Sequence, residues 1–414
     1  MTSSIRILAG VVVAALFLAS PAWAQQPVTE RGFVEGDAIG FFKEAVNDSE
    51  RLVGDVLARE EVFVRPAPWF QFAAGVDFRA NSHDEVEDEW RFDVEDRSIQ
   101  RPRLALRRLS ATFTKGGFNL DLGKQFIRWG RADVVYPTDR FAPRDYMNVL
   151  NADVLPVIAA RPSFQVGTET VEAVWTLQPT PSRLPLFTQR WTPLPDEART
   201  VPVVDGGSVL PDQRQFGLRW RHTGTKLETA VSYFDGLNHL PNLEPQVLAD
   251  GSLQLTRLFP RIRMIGGDVA VPTSWLTWKF ETAYVTAPTD ATEEYLLYVI
   301  EVERQTGEWL LDFGYAGDHT TKEYPLPAFA PDRGMARSII GRASYTVDPR
   351  RTVVLEGAVR QTGDGVYAKA EYSQEFAQHF RFTVAGIGIG GETTDFIGQY
   401  HDNSHVKVGL RVSF

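Results

Sequence analysis

The residues best able to do chemistry in this 414-residue chain crowd into one stretch. It holds Arg128, Arg131, Asp133, Asp139, Arg140, Arg144 and Asp145, with Pro137 and Pro143 stiffening the backbone between them. A balanced density of Arg and Asp suits ion pairing. It also suits recognition of carboxylates or phosphates, because the guanidinium fork binds such groups bidentately. The stretch reads equally as a structural network that pins a loop and as a selectivity site, and the two roles can coexist.

Catalytic signals are weak elsewhere. The histidines, His83, His222, His239, His319, His379, His401 and His405, are scattered, whereas a nucleophile needs a base beside it. His401, Asp402 and His405 come nearest to a metal set, yet a spacing of four does not bring side chains together on a strand as it does on a helix. The run Gly386-Ile387-Gly388-Ile389-Gly390-Gly391 is not followed by a helix, so it lacks the terminus that would hold a phosphate. The chain has no cysteine, which excludes disulfides, thiolate zinc sites and a cysteine nucleophile. A net charge of −10 argues against a nucleic-acid partner. No catalytic residue, metal or cofactor is predicted, and the chain does not read as an enzyme.

The elements that must position the charged stretch are strands. Phe70, Phe72, Ala74, Val76 and Phe78 alternate with Gln71, Gly75, Asp77 and Arg79. Trp278, Phe280 and Tyr284 alternate with Thr277, Lys279 and Glu281, and Phe118, Leu120 and Leu122 with Asn119, Asp121 and Gln125. One face is apolar and the other fully charged. A soluble sandwich core would reject unpaired charges, but a water-filled lumen accepts them. Tight turns read at 65–68, 115–117, 167–168, 223–225, 272–273, 305–307 and 348–350. Longer connections fall at about 81–100, 127–154, 179–211, 236–252, 286–293 and 318–334. Counting strands between them predicts a single all-β transmembrane antiparallel barrel of about 18 strands. The alternative is 16, if 33–58 forms a periplasmic helix. Either number leaves an aqueous lumen.

The two ends fit that fold. Arg6, the apolar run Ile7 to Leu18 and Ala22-Trp23-Ala24 read as a secretory signal over 1–24, with the barrel over 25–414. At the other end Val406, Val408, Leu410, Val412 and Phe414 share one strand face. A terminal strand of this kind ending on an aromatic resembles the assembly signal of bacterial outer-membrane barrels, which assigns Phe414 to that role.

The strand Gly123-Lys124-Gln125, the break Trp129-Gly130-Arg131-Ala132-Asp133 and the continuations Pro137-Thr138-Asp139 and Pro143-Arg144-Asp145-Tyr146 resemble large outer-membrane barrels of the alginate-export type. Ser232-Tyr233-Phe234-Asp235-Gly236 and the Pro-rich stretch 179–185 look similar to the same group. The resemblance implies an 18-stranded passive channel. No polysaccharide site carries over residue by residue.

These readings combine into one expectation. The chain is a porin-like channel in the outer membrane of a Gram-negative-type bacterium, passing a polar or anionic solute, with a saccharide among the options. Its partners would be outer-membrane lipid and lipopolysaccharide, the barrel-assembly machinery and the solute. A loop over about 128–154 should fold inward as the constriction, Asp133, Asp139 and Asp145 pairing with arginines while the remaining arginines face the channel. An outer-membrane enzyme and a closed structural or adhesion barrel are the alternatives. Further charges should line the wall: Arg101, Arg103, Arg107, Arg161, Arg219, Arg221, Arg342, Arg381 and Arg411 against Asp55, Glu61, Asp77, Asp121, Glu172, Glu228 and Glu281.

Overall fold

The computed structural model describes residues 28–193, 201–325 and 329–414; the expected signal segment lies outside the described residues. Eighteen antiparallel strands form one closed barrel. They are β1 (Val28–Phe41), β2 (Leu52–Ala67), β3 (Phe70–Asn81), β4 (Leu104–Lys115), β5 (Phe118–Gln125) and β6 (Val157–Val166). Next come β7 (Glu169–Thr176), β8 (Gln215–Thr223), β9 (Glu228–Leu237), β10 (Arg261–Pro272), β11 (Thr277–Thr286) and β12 (Glu294–Thr306). The last are β13 (Trp309–Lys322), β14 (Ser338–Asp348), β15 (Arg351–Arg360), β16 (Val366–Phe376), β17 (Phe380–Gly390) and β18 (His405–Ser413). Each pairs with the next, and β1 pairs with both neighbours: Gly36 stands opposite Val56 of β2 and Leu410 of β18. Closure through β1 settles the strand number at 18 and removes the helix alternative over 33–58.

Short turns and both ends of the barrel share one rim, and long connections share the other. Gly116 and Gly307 sit at tight-turn positions with φ of +59° and +56°, where a side chain would strain the backbone. Ala377 takes φ +55° between β16 and β17 without being glycine, so composition did not flag that turn. Phe72, Leu218, Trp220, Phe280, Ile300 and Leu410 are exposed on the outer wall, and Asp77, Glu281 and Glu301 are buried inside it. Trp69, Phe164, Trp275, Trp309 and Phe376 lie exposed near the short-turn rim, as an interfacial aromatic belt requires.

Three departures from the alternation rule matter. First, 254–269 is not one strand. Leu253–Leu258 joins Val203–Val209 and Asn242–Val247 in a small sheet beyond the rim, and β10 starts after Pro260, which has no N–H to continue a ladder. Second, β4 carries a bulge: Gly75 pairs with Arg108 and Val76 with Leu106, leaving Arg107 over. The extra residue lets Arg107 and Arg108 both reach Glu61, at 3.8 and 3.9 Å. Third, the inner faces of β9 to β12 carry apolar residues beside the inward charges that alternation predicted: Phe234, Ile262, Met264, Val285, Leu297 and Val299 are buried inside the barrel alongside Glu281 and Glu301. A wet lumen would not bury them. Something covers them from within.

Candidate channel constriction

The cover is the connection between β5 and β6. The wall strand stops at Gln125, and the chain turns into the barrel with Ile127, Trp129, Ala132, Val135 and Phe141 against the apolar inner wall. Trp129 and Phe141 meet edge to face with centroids 5.2 Å apart, and Phe141 meets Phe234 likewise at 5.0 Å. A side chain at Gly217 would run into both the Trp129 and Phe141 rings, so the wall is kept bare there.

Polar anchoring centres on Glu281, of which 1% is exposed. Its carboxylate accepts the backbone N–H groups of Arg131 (2.7 Å), Ala132 (2.9 Å) and Thr138 (2.9 Å), and the Thr138 hydroxyl (2.9 Å). One wall acid therefore satisfies donors from two turns of an irregular segment. Asp139 does the same within the segment, accepting the N–H groups of Trp129 and Gly130. Glu172 accepts the Trp129 indole N–H at 2.6 Å.

The seven charged residues singled out in the sequence come together inside the barrel and take the expected roles in part: Asp139 and Asp145 stand against arginines, and Asp133 does not. Asp133 pairs with Lys279 at 2.8 Å rather than with an arginine. Arg131 is held by Asp268 and Glu228, both at 2.7 Å, and Arg140 is buried against Asp332 at 3.2 Å and the Pro137 carbonyl. Neither Arg131 nor Arg140 is free to face solute, because wall and loop acids take up their guanidinium groups. Asp145 pairs with Arg101 at 2.9 Å and Arg183 at 2.8 Å, which hold its carboxyl well below the usual range. Arg128 and Arg144 remain near the open space. They flank the Tyr136 ring at 5.0 and 4.2 Å and stand 3.5 and 3.8 Å from Asp139.

Two cavities border the segment. The first, of about 330 Å³, lies between it and β12 to β16, with Tyr136, Arg144, Glu301, Asp312, Arg342 and Phe396 in its lining. The second, of about 470 Å³, runs along β1 to β3 and β15 to β18, past Asp37, Arg59, Arg79, Lys369 and Arg411. Four residues line both: Leu150 and Asn151 on the segment, and Glu356 and Tyr367 on the wall. The residues common to both cavities therefore lie outside the charged stretch. Leu150 and Asn151 fall within the expected 128–154 loop, but nothing in their types marked them. Glu356 stands 3.4 Å from Arg342 and 3.7 Å from Lys369.

Other groups weighed in the sequence resolve more simply. His401 contacts Asp402 at 3.2 Å, while the His405 ring turns to Phe41 and Trp191, so the three do not converge. His239 is buried, hydrogen-bonded to Ser182 at 2.8 Å, and burial lowers its pKa to about 3, keeping it neutral. Among the described residues, Asp133, Glu303 and Asp312 bring carboxylate oxygens within 4.8 Å of one another. Lys279 contacts two of them, at 2.8 Å from Asp133 and 2.6 Å from Glu303, and supplies counter-charge.

No family model and no curated relative matches the sequence. Solved structures do. OccAB4 of Acinetobacter baumannii is 11% identical with a TM-score of 0.56, covering 95% of this chain and 99% of that one. OpdQ of Pseudomonas aeruginosa is 9% identical with a TM-score of 0.54, covering 94% and 98%. A BenF-like porin from Pseudomonas fluorescens Pf-5 is 8% identical with a TM-score of 0.56, covering 94% and 98%. The chain has the fold of an outer-membrane porin. At such identities the likeness is one of fold, and it does not single out the alginate-export group.

Proposed function

We propose that this chain is a passive channel of the bacterial outer membrane for small polar solutes, with anionic solutes as the narrower class. The observation that carries the reading is the pair of charged cavities meeting at Leu150, Asn151, Glu356 and Tyr367 inside a closed barrel. A structural anchor has no use for a lumen of this kind, whereas diffusion through it requires one. Arg128, with its side chain 48% exposed, and Arg144, which lines the first cavity, support the anionic class. Asp133, Glu301 and Asp312 on the same cavity oppose it, so selectivity is a balance of the two sets. The resemblance over 123–146 to alginate-export barrels keeps saccharide acids within the class.

The test is single-channel recording of the refolded protein in planar bilayers under a salt gradient, with anionic sugars as blockers. The parent should conduct. Replacing Arg128 and Arg144 with Gln should move the reversal potential toward cation preference, because the facing acids remain. A parent that never conducts would favour the closed structural barrel, and an unmoved potential would remove these two arginines from the selectivity site.

The same reading gives Phe414 to the barrel-assembly machinery, and the outward apolar belt to outer-membrane lipid and lipopolysaccharide. Phe414 exchanges two backbone hydrogen bonds with Gly32, both at 3.0 Å, at the seam where the barrel closes. Deleting it should lower the amount of heat-modifiable barrel recovered from outer membranes. Undiminished recovery would refute the assignment.

A further inference from the structure

Gln189, Arg190 and Trp191 close the loop-rim end of the second cavity, beside Phe41, Val53, His83 and His405. They belong to the connection between β7 and β8, far from their neighbours in sequence. The Trp191 ring packs on Tyr400 with centroids 5.6 Å apart, and the Asn403 side chain donates to the Arg190 carbonyl at 2.9 Å. The rings of Phe41 in β1 and His405 in β18 touch this segment, and most of its polar contacts run to the connection between β1 and β2, where one carboxylate gathers several of them.

That carboxylate is Asp48, in the connection between β1 and β2, with a side chain only 3% exposed. It accepts the backbone N–H of Arg190 at 3.2 Å and its Nε at 3.2 Å. It also contacts His83 Nε2 at 3.0 Å and accepts the N–H of Glu50 at 3.0 Å. The Arg190 guanidinium lies 3.7 Å over the Phe41 ring and donates to the Glu50 carbonyl. Beside it, the Asn47 amide donates to the carbonyls of Gln189 at 2.6 Å and Phe187 at 3.2 Å. His83 is itself held in the cationic form by Asp48 and by Glu85, 4.0 Å away, with its pKa raised to about 9.

Resting on the channel reading, we propose that Asp48 is a positioning residue that latches the Leu186–Trp191 segment over the second cavity. Solute entering from the loop side is thereby routed through the first cavity and past Leu150, Asn151, Glu356 and Tyr367. Without Asp48 the buried Arg190 guanidinium loses the carboxylate it is paired with, while His83 loses the partner that does most to hold it cationic and returns toward neutral. An uncompensated buried charge is strongly unfavourable, and the cheapest relief is for the segment to swing out to solvent. That opens a second, direct route into the wider cavity.

The absence of native cysteine makes the test clean. Asp48→Ala should raise single-channel conductance and blunt ion selectivity, while Asp48→Glu, which keeps the carboxylate, should restore both. Adding Asn47→Cys and Gln189→Cys to Asp48→Ala should return parental conductance when oxidised and lose it again on adding dithiothreitol. Should Asp48→Ala fail to give a heat-modifiable barrel, Asp48→Asn, which keeps the shape but leaves Arg190 without a counter-charge, is expected to show the same raised conductance. If the folded variants conduct with parental size and selectivity, the latch is wrong although the channel reading stands. If the parent itself never conducts, both are wrong.

Discussion

Replacing Glu281 with Ala should release the infolded segment from the wall and raise single-channel conductance several-fold. No other described side chain gathers so many donors of the segment: three backbone N–H groups and one hydroxyl converge on this carboxylate. A buried donor left without a partner costs about 1–3 kcal/mol, so four stranded donors amount to several kcal/mol even if they partly re-pair. The segment's own regular structure is only the two-residue ladder of Arg144–Asp145 with Asp153–Val154, far too short to absorb that loss. The barrel should survive, because β10, β11 and β12 pair through their backbones on either side of Glu281. The variant should therefore remain heat-modifiable, become open to trypsin at Arg131, and conduct more current with more noise. Glu281→Gln, which keeps an acceptor oxygen, should fall between. Parental conductance and protease resistance in Glu281→Ala would show that the packing of Trp129 and Phe141 holds the segment unaided.

Arg at Phe280 should destabilise the barrel by about 2–4 kcal/mol, as expected for a basic residue on the lipid face near the bilayer midplane. Phe280 is exposed on the outer wall, directly before inward Glu281. Arg at Thr277 or Asn119, whose side chains face inward, should cost far less, because a lumen hydrates the charge and offers acids to pair with. The measurement is the urea midpoint of folding into lipid vesicles. Equal shifts for the two classes would mean that the assignment of inner and outer faces is wrong.

The alternation in β3 and β11 was fully legible in sequence because it reports a contrast of media. On a strand successive side chains meet different surroundings, so apolar against charged records lipid against water residue by residue. The rule was incomplete at β9, β10 and β12 for the same physical reason. Leu297 and Val299 are inward and apolar, since their medium is neither lipid nor water but another part of the chain. The bulge at Arg107 likewise left no trace, because an arginine on either face of a wet wall fits the composition.

The charged stretch was legible as a cluster and misread in part of its pairing: Asp139 and Asp145 stand against arginines as expected, whereas Asp133 takes a lysine and Arg131 and Arg140 are taken up by distant acids. Sequence supplied the tally of arginines and aspartates and their proximity to one another. It could not supply partners that lie far along the chain: Arg140 meets Asp332 across 192 residues, and Asp133 accepts its counter-charge from Lys279, 146 residues away. Nor could it reveal that Leu150 and Asn151, ordinary residues beyond the charges, meet Glu356 and Tyr367.

By itself the sequence determined the large barrel, a strand number of 18 or 16, its rims and most of the two faces of its wall, because each depends on local alternation and local turns. Only the tertiary structure decided which arginines are consumed as anchors and which remain near the passage. It alone also decided which residues line both cavities and that Asp48 contacts Arg190, 142 residues further along the chain. Those outcomes depend on which groups meet across the interior, and a charge's role is set by its neighbours in space.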